Sequence, residues 1–327
     1  MKRTKNLLKN NNLFNKLYYK IPRQILDNQK QINDNELNEL KFFLIENYYK
    51  NKHPFTQDAF MLFENDLLSH LMTRLQIDRK RIIPWLNTAK PLTDSTVLEI
   101  GCGTGSSTVA LAEQGAKVTG IDIEEESITV AKKRCSLYKV EAHFKVMNAV
   151  DLIDSFINCK FDFIIFFASL EHMTVRERIT AIKQAWNLLN KNGILSVIET
   201  PNRLWYYDIH TSQLPFFHWL PDDLAYYYSR KSKRNNFREL YMDESLKNYE
   251  HFLRRGRGVS FHEFELAIES FNKIKTISSL SSFENIFFRM NIPKQKKIFK
   301  SFIMNLYPGI HHGFFDEILN INITKDF

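Results

Sequence analysis

The chain has 327 residues, 44% of them hydrophobic and 25% charged, enough to bury a full core as one large domain with additions or as two modest ones. No apolar run approaches the ~20 residues that a bilayer span requires, and three cysteines without C-x-x-C spacing argue against a disulfide framework or a zinc knuckle. A formal net charge of +8 admits nucleic acid, anionic lipid or phosphorylated small molecules as partners and does not choose among them.

The start, MKRTKNLLKNNNLFNKLYYKIPRQ, is basic but has no compact apolar segment followed by a small-residue cleavage site, so it predicts a cytoplasmic protein rather than a secreted one. Leu7, Leu8, Leu13, Phe14 and Leu17 make this start amphipathic, and docking on its own domain is expected over docking on a membrane. In TQDAFMLFENDLLSHLMTRL, Phe60, Phe63, Leu67, Leu71 and Leu75 recur about every turn, which predicts a helix packed on the core. Residues 1–90 therefore read as a helical N-terminal extension.

From Ser95 the rhythm changes to short apolar runs alternating with helical segments. TVLEI, KVTGID, AHFKVM, FDFIIFF and ILSVIE are predicted strands. Between them lie SSTVALAEQ, a helix closed by Gly115, then ESITVAKKRCSLY, then a helix opened by the capping box Thr174-Val-Arg-Glu177 and ending before Gly193. Such alternation implies right-handed crossovers and an α/β fold with a mostly parallel sheet, here assigned to residues 91–202. After Pro201 the alternation stops at NRLWYYDIHTSQLPFFHWLPDDLAYYYSRKSKR, too long for a plain connection, so residues 203–259 are expected to form an aromatic lid over an acceptor pocket. Trp205, Phe216, Phe217 and Trp219 are its expected exposed residues. The clusters RKSKR and RRGR are expected to be solvated surface, with attraction of a phosphate-bearing acceptor by Arg254 and Arg255 as the alternative. Residues 260–327 add a helix with the capping box Ser260 to Glu263, a strand in KIKTISSL and a last strand in LNINITKD.

The turn after the first strand carries the chemistry. A dinucleotide site wants G-x-G-x-x-G with a helix N-terminus facing pyrophosphate, but here the third glycine comes one residue early: Gly101-Cys102-Gly103-Thr104-Gly105. Glu99, two residues before the first glycine, would repel a pyrophosphate and can instead receive an ammonium group. Asp122 ends the second strand, where a carboxylate accepts both hydroxyls of a ribose. A ligand with an amino-acid end, a ribose and no phosphate is S-adenosylmethionine.

Through VLEIGCGTG, VTGIDI, FDFIIFFASLEHM and LLNKNGILSVIETPN the sequence resembles the class I S-adenosylmethionine-dependent methyltransferases, small-molecule type, over about a third of its length. The resemblance implies a Rossmann-like seven-stranded sheet whose last strand is antiparallel, placed in LNINITKD. It also implies that Glu99, Gly101, Cys102, Gly103 and Gly105 surround the methionine part, Asp122 the ribose, and Asn148 with Ala149 the adenine. Asn148 stands where the family usually has an acid, and its carbonyl oxygen can still accept from the adenine amine. Ile123 and Phe167 are expected walls of this site.

A sulfonium methyl is already activated, so the protein must mainly align a nucleophile and exclude water. An alcohol acceptor needs its proton removed, an amine need only be neutral, and a carboxylate needs no base. His210, in ETPNRLWYYDIHTS after the fifth strand, is the leading candidate base; His172, in SLEHM after the fourth, is the second, and Glu199 is the candidate acid nearby. Asn202, Trp205, Tyr206, Tyr207 and Trp219 are the expected acceptor contacts. Family members that hold a divalent ion carry E-x-x-E-H after the fourth strand; here Ala168 replaces the first acid, so no metal is expected. The expectation is methyl transfer to oxygen or nitrogen of a small polar metabolite or glycan precursor, phosphorylated or nucleotide-linked. An RNA methyltransferase and a non-catalytic cofactor-binding subunit are the alternatives.

Overall fold

The computed structural model describes residues 29–50, 57–270, 274–288 and 293–326; the amphipathic start lies outside them. Seven strands, β1 (Thr96–Ile100), β2 (Lys117–Asp122), β3 (Ala142–Val146), β4 (Phe161–Phe167), β5 (Leu189–Pro201), β6 (Lys275–Ser279) and β7 (Ile318–Thr324), form a sheet in the order β3-β2-β1-β4-β5-β7-β6. β1 and β4 are near-continuous apolar runs because they are buried on both faces. β3, at an edge, alternates polar residues such as His143 and Lys145 and stays largely exposed. β7 runs antiparallel to both β5 and β6, as the resemblance implied.

The chain divides into two compact units. The first comprises the residues before Thr96, Cys102–Val146 and a short stretch from Ser282. In it β2 and β3 pair in parallel. Helix α1 (Asp34–Glu46) starts at a capping box of Asn33 and Glu36. Helix α2 (Gln57–Leu68) carries on through two π-type turns, and Leu67, Leu71 and Leu75 are buried as the periodicity predicts. Helices α3 (Ser106–Ala112) and α4 (Glu125–Leu137) flank the glycine turn. Arg134, fully buried on α4, donates to the carbonyls of Thr104 (2.7 Å), His70 (2.6 Å) and Leu71 (3.4 Å), so one guanidinium ties the extension to the turn. Burial lowers its pKa to about 10, the charges of Tyr138, Cys135 and Asp78 offsetting only part of that.

The second unit comprises Thr96–Gly101, Met147–Ser281 and the chain from Asn291. β4 pairs in parallel with β1 and β5, and helix α5 (Val175–Leu188) opens with the Thr174–Glu177 capping box. β5 starts earlier than its apolar run suggests. Asn192 donates to the Lys325 carbonyl at 2.7 Å and Lys325 to that of Gly193 at 3.0 Å, which stitches the Asn192–Gly193 turn into the sheet. The expected lid is a folded cap with its own core. Around helices α6 (Asp222–Ser229) and α7 (Leu246–Leu253), Leu214, Phe217, Tyr226, Phe237, Tyr241 and Phe252 are buried together. Two of the four aromatics expected on the outside are therefore inside. Phe217 anchors the cap core, and Trp205 packs edge-on against Phe299 at 5.1 Å. Phe216 and Trp219 do face solvent. Helix α8 (Phe261–Ala267) follows its predicted capping box, and helix α9 (Lys294–Leu306) precedes β7. Among the described residues no helix is long and apolar enough to cross a membrane.

Candidate functional site

In the first unit, Gly103, Gly105 and Asp122 form one device. Gly103 sits at φ +50° with open space where a side chain would be, and its N–H donates to Asp122 Oδ2 at 2.8 Å. The Glu124 N–H donates to the other carboxylate oxygen at 3.0 Å. Burial pushes the Asp122 pKa up and these amides counter it. A half-buried carboxylate beside an open backbone is thus oriented by two donors, with acceptor capacity left over. Gly105, at φ +80°, lets the turn close on α4: a Cβ there would stand 2.9 Å from the Ala131 Cα. Cys102 is buried behind the turn, its N–H bonded to the Ile121 carbonyl at 3.1 Å, and Ile123 is exposed just after Asp122.

In the second unit, Glu99 is fully buried in β1, opposite Ile165 of β4. Gly101, at φ +81°, approaches the end of β4 so closely that a Cβ would lie 2.6 Å from that of Ser169. Asn148 Oδ1 accepts from the Val150 N–H at 3.2 Å, which uses one of its two lone pairs, and Ala149 is buried beside it. Phe167, at the end of β4, is half-buried.

The same unit brings an acid and two histidines together. Glu171, in the 3-10 turn after β4, is fully buried. Its Oε2 accepts from the Thr200 hydroxyl at 3.4 Å. Its Oε1 has no hydrogen-bond partner among the described residues and stands 3.8 Å from His210 Nε2 and 4.0 Å from His172 Nε2. Burial pushes Glu171 up to about 8 and His210 down to about 4, so at neutral pH a protonated carboxyl faces a neutral imidazole. The tautomer follows from the neighbours. The Thr211 hydroxyl donates to the Gly256 carbonyl at 3.2 Å, so it accepts from His210 Nδ1–H at 2.9 Å, which leaves the Nε2 lone pair toward Glu171. His172 Nδ1 meets the Arg254 carbonyl at 3.2 Å and is more exposed than His210.

Asp208 fixes the loop that carries His210. It accepts from the N–H groups of His210 and Thr211 at 2.9 Å and of Ser212 at 2.6 Å, and it faces His218 Nε2 at 3.4 Å. Burial alone would raise its pKa; His218 and these amides hold it well below the usual carboxylate range. Glu199 is exposed on a bulge of β5 at φ +56°, with its N–H on Asn320 Oδ1 at 2.8 Å, and its charge helps to raise the Glu171 pKa. Sequence reasoning weighed Glu171 only as part of an incomplete metal site and Asp208 only among the polar side chains of an acceptor pocket. The available signal was an acid placed next to His172 and another two residues before His210.

The expected acceptor contacts differ in availability. Both amide hydrogens of Asn202 are donated to backbone, to Phe314 and Asp316 carbonyls at 2.7 Å each. Tyr207 donates to the Gln213 carbonyl at 3.0 Å, and Tyr206 packs on Phe299 at 4.8 Å. Trp205 is buried and Trp219 exposed. The arginine clusters are divided: Lys231, Lys233 and Arg254 are exposed as expected, while Arg257 is buried. Arg257 donates to the Phe217 and Leu220 carbonyls, Arg234 bonds the carbonyl of Thr211, and Arg254 grips Glu177 with both terminal nitrogens. Among the described residues no group of three or more His, Cys, Asp or Glu side chains is placed to hold a metal ion.

Comparison with known proteins agrees with the glycine turn. The family described as "Methyltransferase domain" matches residues 97–193. A "Ubiquinone biosynthesis O-methyltransferase" of Pelagibacter ubique is 36% identical over 108 residues, which is 33% of this chain and 43% of that protein. A protein of the same name from Actinobacillus pleuropneumoniae is 31% identical over 129 residues, 38% of this chain and 52% of that one. The chain thus spans about half the length of these relatives. A solved S-adenosylmethionine-dependent methyltransferase of Methanosarcina mazei is 33% identical and covers 36% of this chain and 58% of that one, with a TM-score of 0.34. The family match ends before His210 and the cap.

Proposed function

We propose that this chain, whose residues 97–193 match a methyltransferase domain, is a class I S-adenosylmethionine-dependent methyltransferase that transfers a methyl group from this cofactor to a hydroxyl oxygen of a small molecule. The observation that carries the reading is the Asp122 carboxylate held by the Gly103 N–H at 2.8 Å next to open backbone, inside the matched domain. A carboxylate so placed suits ribose hydroxyls, which donate, and disfavours a phosphate, which would add a second negative charge. The residues proposed to hold S-adenosylmethionine are the loop from Glu99 through Gly105, together with Asp122, Ile123, Asn148, Ala149 and Phe167. When bound, S-adenosylmethionine supplies a methyl group on a positively charged sulfur, ready for in-line attack.

The protein's share is a base and a dry, ordered acceptor site. His210 Nε2, with its lone pair free of the Thr211 contact, would take the proton of the acceptor hydroxyl, the methyl group leaving the cofactor's sulfur for that oxygen. Asp208 positions His210 through its loop, and neutral Glu171 adds no competing negative charge beside it. The O-methyltransferase names of the relatives support an oxygen acceptor. Trp219, with Tyr206 and Tyr207, is proposed to border the acceptor, while Asn202 serves the fold. Incubating the protein with methyl-labelled S-adenosylmethionine and fractionated small-molecule extract should give a labelled product whose added mass sits on oxygen. Cofactor binding without product in any fraction would instead identify a non-catalytic subunit.

A further inference from the structure

Helix α9, KQKKIFKSFIMNL, has an inner and an outer side that differ in kind. Inward, Ile303 is buried, Phe299 packs on Trp205 and Tyr206, and Lys296 and Lys300 pair with Glu317 and Asp316. Outward, Ile298 (60% exposed), Phe302 (57%) and Leu306 (57%) follow at intervals of four and form one stripe along the helix. Phe299 also stacks on Trp219 at 6.2 Å, and Trp219 touches Phe216 at 5.1 Å. Trp219 and Phe216 are themselves 47% and 49% exposed, so an exposed aromatic pair on the cap stands beside Phe299 of the same helix. Large side chains scattered singly on a surface need no explanation; three aligned along one helix face do.

The charges beside the stripe say what covers it. Four lysines occupy the first seven residues of α9, where the positive end of the helix dipole makes cations unfavourable. Two of them answer to internal carboxylates, and the other two, Lys294 and Lys297, are exposed next to the stripe. An apolar stripe with a half-exposed tryptophan and adjoining lysines matches an anionic lipid surface: the aliphatic and aromatic groups enter the acyl boundary, and the lysines meet the headgroups.

We propose that α9, together with Phe216 and Trp219, docks this protein in the plane of an anionic bilayer. The proposal shares Trp219 with the acceptor border proposed above, and vesicle sedimentation tests it without methyl transfer. Full-length protein is sedimented with vesicles of equal parts phosphatidylglycerol and phosphatidylcholine, and with phosphatidylcholine alone, at low and high salt. Binding is expected to the anionic vesicles and to weaken with salt. Ile298→Asp with Phe302→Asp should weaken it at least about tenfold, and Lys294→Ala with Lys297→Ala about fivefold per lysine, with circular dichroism unchanged. Vesicles should also shift tryptophan emission to shorter wavelength, and Trp219→Phe should remove that shift. No sedimentation with anionic vesicles overturns the proposal. So does undiminished binding by the Ile298→Asp, Phe302→Asp protein, or a dimer in light scattering that this double substitution dissociates.

Discussion

Asp122 and His210 obtain opposite properties from the same cause, which is how burial treats charge. Asp122 stays useful as an anion because two amides face it. Asp122→Asn keeps the shape and removes the charge, and should weaken S-adenosylmethionine binding about 10- to 100-fold by calorimetry, the range for losing charge-assisted hydrogen bonds. For His210 burial outweighs the Asp208 charge, with His172, Arg234 and His218 adding to it, and holds the pKa down to about 4. His210→Gln should lower kcat by about 10²- to 10⁴-fold and leave cofactor affinity in place. Because the base titrates near 4, the rate of the unaltered protein should not fall on the acid side until well below the usual histidine range. Glu171 shows its burial in stability. Its folded pKa of about 8 lies above the ordinary value of 4.5, so between those values the folded state holds more protons than the unfolded one, and stability falls as pH rises through that window. Glu171→Gln should flatten the decline, and its melting temperature should exceed that of the unaltered protein near pH 8 by more than at pH 5. Equal differences at both pH values would mean that Glu171 is ionised in the fold.

Which elements a reader of the sequence can find depends on whether burial is local or supplied from far along the chain. β1, β4 and most of β5 are legible because a strand covered on both faces reads as a near-continuous apolar run, which Glu99 interrupts in β1. Both capping boxes, Thr174–Glu177 and Ser260–Glu263, form as written. The glycine turn is legible for the same reason: positive φ and close approach at Gly101 and Gly105 leave no other residue there. The cap is not. Its helices run six to eight residues, too short for periodicity to show which aromatic points inward. RRGR likewise conceals a split: Gly256, at φ +70° against Thr211, turns the chain so that Arg257 enters the cap while Arg254 stays out on Glu177. Arg257 satisfies two carbonyls and pairs with Asp222 at 3.0 Å. Arg257→Ala should therefore cost about 3 kcal/mol in denaturant unfolding, and Arg257→Lys should recover little, since an ammonium lacks the planar fork.

At the scale of the whole molecule, the net charge of +8 is a poor guide to partners, because many of its cations are already employed. Arg79, Arg134, Arg178 and Arg257 are all buried, and they serve Glu113, backbone carbonyls or Glu263. A positive total therefore does not make a surface that reads phosphate. The cofactor proposed for the turn of Gly103 and Asp122 should report itself through the melting temperature of the whole fold. A ligand that binds only the folded chain at about 100 times its Kd adds about 2.7 kcal/mol. With the unfolding entropy expected for a chain of this length, that gain should raise the melting temperature by about 4 °C. S-adenosylmethionine and its demethylated product should both produce the rise, since both carry the ribose and the amino-acid end. A nicotinamide dinucleotide should not, because its pyrophosphate would meet the Asp122 carboxylate in place of the donors it needs. A rise with the dinucleotide alone would assign the turn to the other chemistry.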